Sequence, residues 1–113
     1  MEGKNEIFTM LNDSNFRKEV LENPQPVLVL FAAEWSGSCQ LMRQVLASLA
    51  GEFKGKIKFA EMDFDRSKAT AEEYEVRRLP TIVIFKNGRV EDYLVGVVSK
   101  KTLSAQLEAL IKP

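Results

Sequence analysis

Apolar positions change period along this chain, and each change predicts an element. Val27-Leu28-Val29-Leu30-Phe31-Ala32-Ala33 runs without polar alternation, which at this length suits a central strand buried on both faces of a parallel sheet. From Leu41 the period turns helical: Leu41, Met42, Val45, Leu46, Leu49, Ala50 and Phe53 recur at steps of one, three and four, one wide apolar stripe on a long helix. Gly51 and Gly55 bracket its end. Ile57 to Phe64 reads as the next strand, so strand, helix and strand predict a right-handed βαβ unit with parallel strands.

Ile7, Phe8 and Met10 suggest a short first strand. Asn12-Asp13-Ser14 then suits the start of a helix from about Ser14 to Glu22, with Phe16, Val20 and Leu21 on one face. Asn23-Pro24-Gln25-Pro26 stops it, because proline lacks the amide donor and disfavours helix in the residue before it. Ser67 to Tyr74 patterns as a weaker helix and Thr81-Ile82-Val83-Ile84-Phe85 as a strong strand. Asn87-Gly88 favours a tight hairpin into a strand from Val90 to Val98. Ser99 is placed to cap a last helix in which Leu103, Leu107, Leu110 and Ile111 share a face. The predicted order is β-α-β-α-β-α-β-β-α, one α/β domain over residues 1–113. Its mixed central sheet of about five strands carries helices on both faces. Ligand or partner chemistry in such sheets gathers at the carboxyl ends of parallel strands, where Trp35-Ser36-Gly37-Ser38-Cys39 falls.

Composition narrows the chemistry. Lys plus Arg number 16 and Asp plus Glu number 16, so no net field recruits nucleic acid or an anionic membrane. The Val27 to Ala33 run is far shorter than the roughly 20 residues that span a bilayer, and Met1-Glu2-Gly3-Lys4-Asn5-Glu6 has no signal-peptide pattern. The expectation is a soluble cytoplasmic protein. One cysteine makes no internal disulfide, and the lack of histidine removes histidine-based triads and nearly every zinc or haem arrangement. No metal or cofactor is expected.

Several motifs in order now carry a likeness. Phe31-Ala32-Ala33-Glu34-Trp35-Ser36-Gly37-Ser38-Cys39 resembles the thioredoxin family's Phe-Trp-Ala-Glu-Trp-Cys-Gly-Pro-Cys. Val76-Arg77-Arg78-Leu79-Pro80-Thr81 resembles Val-Arg-Gly-Ile-Pro-Thr, and Phe85-Lys86-Asn87-Gly88 and Val95-Gly96 resemble its hairpin and late glycine. The resemblance runs from about Ile7 to Ile111 and implies a thioredoxin fold in which Pro80 follows a cis peptide and faces the active-site turn.

The departures bear on function. In the family, a first cysteine attacks a client disulfide and a second resolves the mixed disulfide; these positions fall on Ser36 and Cys39. Exchange needs a thiolate attacking sulfur, a step a serine hydroxyl cannot replace. The family's buried acid falls on Leu30, its associated lysine on Glu61, the motif proline on Ser38 and the preceding tryptophan on Ala32. The turn reads as a degenerate site no longer organised for dithiol chemistry.

Two readings of Cys39 stand side by side: a small buried thiol packing like a hydrophobe, and an exposed thiol open to glutathione or a partner thiol. Ser36 lacks a base that would make it a nucleophile and is expected to cap the helix. Trp35 is either a recognition aromatic or a lid over the sheet end. Arg78, where the resemblance usually places a small residue, is either a groove-lining cation selecting an acidic partner or part of a solvated charge pair. The leading expectation is a protein linked to thiol redox homeostasis or protein binding, not a competent disulfide reductase. It would hold an extended protein segment, acidic where Arg78 selects it, in a groove made by Trp35, Ser36, Gly37, Ser38, Arg78, Leu79, Pro80 and Gly96. The alternative is a monothiol redox enzyme or sensor using Cys39 with an external thiol.

Overall fold

The computed structural model describes residues 7–113; the Met1 to Glu6 start lies outside them. Its centre is β2 (Val27–Ala32), every residue of which is buried. The run has no polar face to give to water, so it takes the middle of a five-stranded sheet. Beside it runs β3 (Lys58–Asp63), parallel, with Leu30 opposite Glu61 and Ala32 opposite Asp63. On its other side β4 (Thr81–Lys86) is antiparallel, with Phe31 opposite Thr81. The short β1 (Thr9–Leu11) pairs parallel with β3 at one edge, and β5 (Arg89–Val95) pairs antiparallel with β4 at the other. This is the mixed sheet the pattern predicts.

Side-chain alternation along β2 divides the core. Leu28, Leu30 and Ala32 face a layer built from α1 (Gly37–Ala50) and α3 (Lys100–Ile111), where Met42, Leu46, Leu49, Leu103 and Leu107 are buried. Val27, Val29 and Phe31 face the opposite layer, with Phe16, Val20, Ala71 and Phe85. There the Phe16, Tyr74 and Phe85 rings pack 5.2 to 5.6 Å apart between centroids. Each fully buried side chain of this size is worth about 1.5–3 kcal/mol, so the two layers fix the strand order.

Four local expectations are corrected. The helix expected over 14–22 is a π-helical turn, Arg17–Leu21; Phe16, Val20 and Leu21 are spaced four and one apart, which suits a wide turn as well as an α-helix. Asn12 does close its start, accepting from the Ser14 and Asn15 amides at 2.9 and 2.8 Å, but Asp13 works elsewhere. Its carboxylate accepts from the Thr70 amide at 3.0 Å and the Thr70 hydroxyl at 2.6 Å, capping α2 (Lys68–Glu73), whose own Ser67 makes no side-chain cap. On α1, Leu41 lies off the buried stripe and is 48% exposed. Finally, β5 stops at Val95, because Gly96 has φ +89°, outside strand geometry. At the hairpin, Asn87 and Gly88 both have positive φ, 55° and 77°, as a type I′ turn requires.

The Asp13 cap yields a stability test. Thr70, first through its hydroxyl and then its amide, holds the Asp13 carboxyl below its ordinary value of 3.8. A depressed carboxyl pKa contributes stability above the unfolded value and loses it as pH falls through the folded one. Asp13→Ala is expected to cost about 1 kcal/mol at pH 7, and its gap from the parent should narrow as acid protonates Asp13. Urea denaturation at pH 7 and pH 3 checks both; a gap independent of pH would show that the charge contributes nothing.

Candidate functional site

Register brings the sequence's candidate residues to one edge of the sheet. β2 ends at Ala32 and leads into Trp35 and Ser36; because β4 runs antiparallel to it, the start of β4, just after Leu79-Pro80, lies beside that end. Thr81 is in turn opposite Val95, and the Gly96 amide donates to the Pro80 carbonyl at 2.8 Å. The carboxyl end of β3 lies beside that of β2 and supplies Asp65. The Leu79–Pro80 peptide is cis. Leu79 packs against both core layers, Gly37, Ser38 and Arg78 are exposed, and Ser36 is half-buried.

Ser36 has extended backbone and caps α1: its hydroxyl accepts from the Cys39 amide at 3.3 Å. That use of the oxygen satisfies one orphan donor of the helix start. Cys39 is at 0% exposure, among Leu30, Ala32 and Met42 in the α1 layer, and it is a free thiol. Trp35 is 70% exposed, yet its indole N–H donates to Asp65 Oδ2 at 2.8 Å. A tether of this kind orients the ring while leaving it to solvent, so the lid reading of Trp35 gives way to an exposed aromatic. Asp65 went unnoticed in the sequence because it lies 30 residues away.

Beneath the turn the structure pairs Glu61, expected only as a departure at the lysine position, with Arg43. Glu61 is 7% exposed and receives both Arg43 Nε at 2.9 Å and Arg43 Nη2, a bidentate ion pair between β3 and α1. Arg43 Nη1 donates to Gln40 at 2.7 Å. Glu61 holds the guanidinium above its ordinary range, with burial opposing. A carboxylate is therefore present in the layer under Cys39, displaced from the Leu30 position to the neighbouring strand, but both its oxygens are engaged by a cation. Arg43, the one charged residue of α1 and one helical turn after Cys39, and Glu61, set between apolar Ala60 and Met62 in mid-strand, were the signal that could have revealed it.

Among the described residues no group of three or more His, Cys, Asp and Glu side chains is arranged to hold a metal ion. No helix there is long and apolar enough to cross a membrane. A hollow of about 380 Å³ opens between Thr9, Lys58, Ala50 and Gly51, at the opposite end of the sheet from Trp35.

A sequence model of the family described as Thioredoxin matches residues 7–109. The chain is 43% identical to "Thioredoxin" of Rickettsia conorii over 91 residues, 80% of this chain and 87% of that one. It is 42% identical to "Thioredoxin 1" of Nostoc over 98 residues, 87% and 92% of the two chains. Against a chloroplastic thioredoxin M4 of Arabidopsis thaliana it is 40% identical over 101 residues, 89% of this chain but 52% of that longer one. The chain belongs to the thioredoxin family.

The ion pair can be tested for what it contributes. Arg43→Met should lower unfolding stability by about 3 kcal/mol, because it leaves a buried carboxylate unpaired. Combining it with Glu61→Met should restore most of the loss. Urea denaturation of both variants decides the matter; a double variant as unstable as the single one would show that the pair itself, and not the orphaned charge, carries the energy.

Proposed function

We propose that this chain is a thioredoxin-family protein of thiol redox homeostasis or protein binding that does not carry out dithiol exchange. It holds an extended acidic protein segment at the edge formed by Trp35, Gly37, Ser38, Arg78, Leu79, Pro80 and Gly96. The observation that carries the reading is the pairing of an exposed, tethered Trp35 with a single cysteine buried in the core beneath it. Exchange requires an accessible thiolate and then a second thiol. Ser36, whose hydroxyl caps α1, supplies neither. Binding needs no such chemistry: an aromatic anchor with one polar end suits a partly wet interface, and Arg77 and Arg78 are exposed, with no carboxylate partner among the described residues. A cytoplasmic setting belongs to the same proposal, since a lone thiol suits a reducing compartment.

Two measurements test it. Proteins retained from lysate by the immobilised chain should be lost when Trp35→Ala and Arg78→Ala are combined; an undiminished set would sink the binding surface. Cys39 in the native protein should resist iodoacetamide and react only after denaturation. Rapid labelling of the folded chain would instead favour a monothiol mechanism with glutathione or a partner thiol as resolver.

A further inference from the structure

The α2 helix ends in a way that leaves work for a residue outside it. The Val76 amide donates to the Ala71 carbonyl at 2.8 Å and the Glu75 amide to the Glu72 carbonyl at 3.1 Å, a Schellman arrangement that places Glu75 in the left-handed region at φ 55°. That position usually takes glycine, since a Cβ is unfavourable there. The carbonyls of Tyr74 and Glu75 follow the helix end, and both accept from one group: the Tyr93 hydroxyl, at 2.9 and 3.0 Å. Tyr93 stands on β5 opposite Val83, on the sheet face that α2 covers. The residues beyond this clamp are Val76, Arg77, Arg78, Leu79 and Pro80. Their far end is held as well, by Thr81 Oγ1 donating to the Arg78 carbonyl at 2.6 Å and by the Gly96 amide on Pro80.

We propose that Tyr93 is a positioning residue for partner recognition: its hydroxyl, shared between the Tyr74 and Glu75 carbonyls, fixes the loop that presents Arg77 and Arg78 at the sheet edge. This rests on the binding role proposed for Arg78. Both guanidiniums are exposed and lack an ion-pair partner among the described residues, so their backbone is what orders them before a partner arrives. A loop already in its bound geometry spares the partner the cost of ordering it. The donor proton is retained at neutral pH: burial and then Glu75 raise the Tyr93 pKa above its ordinary value of 10, against the opposing charge of Arg77.

Tyr93→Phe deletes the hydroxyl and keeps the ring, so the fold is expected to survive. Hydrogen exchange of the Val76 to Leu79 amides should then speed up by about three- to tenfold, the size expected for loss of one net hydrogen bond, while amides of β2 and α1 keep their rates. The probe for binding is a fluorescein-labelled synthetic peptide alternating valine and glutamate, titrated by anisotropy against the full chain, with the Arg77→Ala, Arg78→Ala double variant in parallel. Weaker binding by Tyr93→Phe together with faster local exchange supports the inference. If the double variant loses the peptide while Tyr93→Phe binds it as the parent does, the binding surface stands and the positioning role is overturned. If neither variant weakens binding, the acidic-partner reading fails, and the positioning role fails with it. Unchanged exchange in Tyr93→Phe overturns the inference whatever the peptide does.

Discussion

The rest of the structure depends on the burial of β2 from both sides. A strand with no polar face cannot sit at an edge, where one row of backbone groups would meet water and one set of side chains would lack cover. Once it is central, its carboxyl end is enclosed by the end of β3 and the start of β4, and the turn that follows can occupy only one place. The five large buried side chains of β2, Val27 to Phe31, at about 1.5–3 kcal/mol each, are large against a net domain stability of about 5–15 kcal/mol. Apart from the buried Cys39, the residues of the turn itself, Trp35 to Ser38, are exposed or half-buried and contribute little to that balance. Chemistry at Ser36 and Ser38 is free to change without loss of the scaffold that presents it.

Charge is used in two opposite ways within a short distance of that turn. Arg43 is spent on Glu61 inside the fold, where the alternative is an unpaired buried carboxylate. Each oxygen of the Glu61 carboxylate is engaged by the guanidinium, so its presence in the layer under Cys39 clamps β3 to α1. Arg77 and Arg78 stay in solvent, where a cation costs no desolvation until a partner covers it. The same residue type is thus part of the architecture at one site and part of the proposed recognition surface at the other.

Most of the fold was legible from period alone. The unbroken run at Val27 to Ala33, the helical stripe after it and the Asn87-Gly88 turn each depend on neighbours in sequence, and each stands where expected. What escaped depends on distant neighbours. Asp13 caps a helix 57 residues away, Asp65 tethers Trp35 across 30, and Tyr93 reaches back 19 to the end of α2; no local pattern marks such pairs. The first helix narrowed to a π turn for a related reason, since apolar spacing of four and one does not choose between helix types. Leu41 was drawn into the stripe by being apolar, yet the buried set Cys39, Met42, Leu46 and Leu49 steps by three and four, and Leu41 stands about 100° off Met42 around the axis. Among the candidate residues, their placement at the carboxyl end of β2 and the capping role of Ser36 were readable; the Glu61–Arg43 pair was marked only by two opposite charges 18 residues apart, and the packing of α1 on β3 is what joins them.

Positions that keep the family's pattern and positions that depart from it divide by physical role. Pro80, Gly88 and Gly96 set backbone geometry: Gly88 and Gly96 have positive φ, and Pro80 and Gly96 join the start of β4 to the end of β5 through a backbone hydrogen bond. At Ser36, Ser38, Leu30, Ala32, Glu61 and Arg78 the resemblance leads one to expect other residues, and what those positions supply is side-chain atoms, not backbone geometry. Geometry and chemistry are separable here because the first is maintained by backbone conformation and the sheet, whereas the second requires particular atoms at positions the sheet does not constrain. That separation is why membership of the family follows from the chain as a whole, while its function has to be argued from the few side chains on one edge.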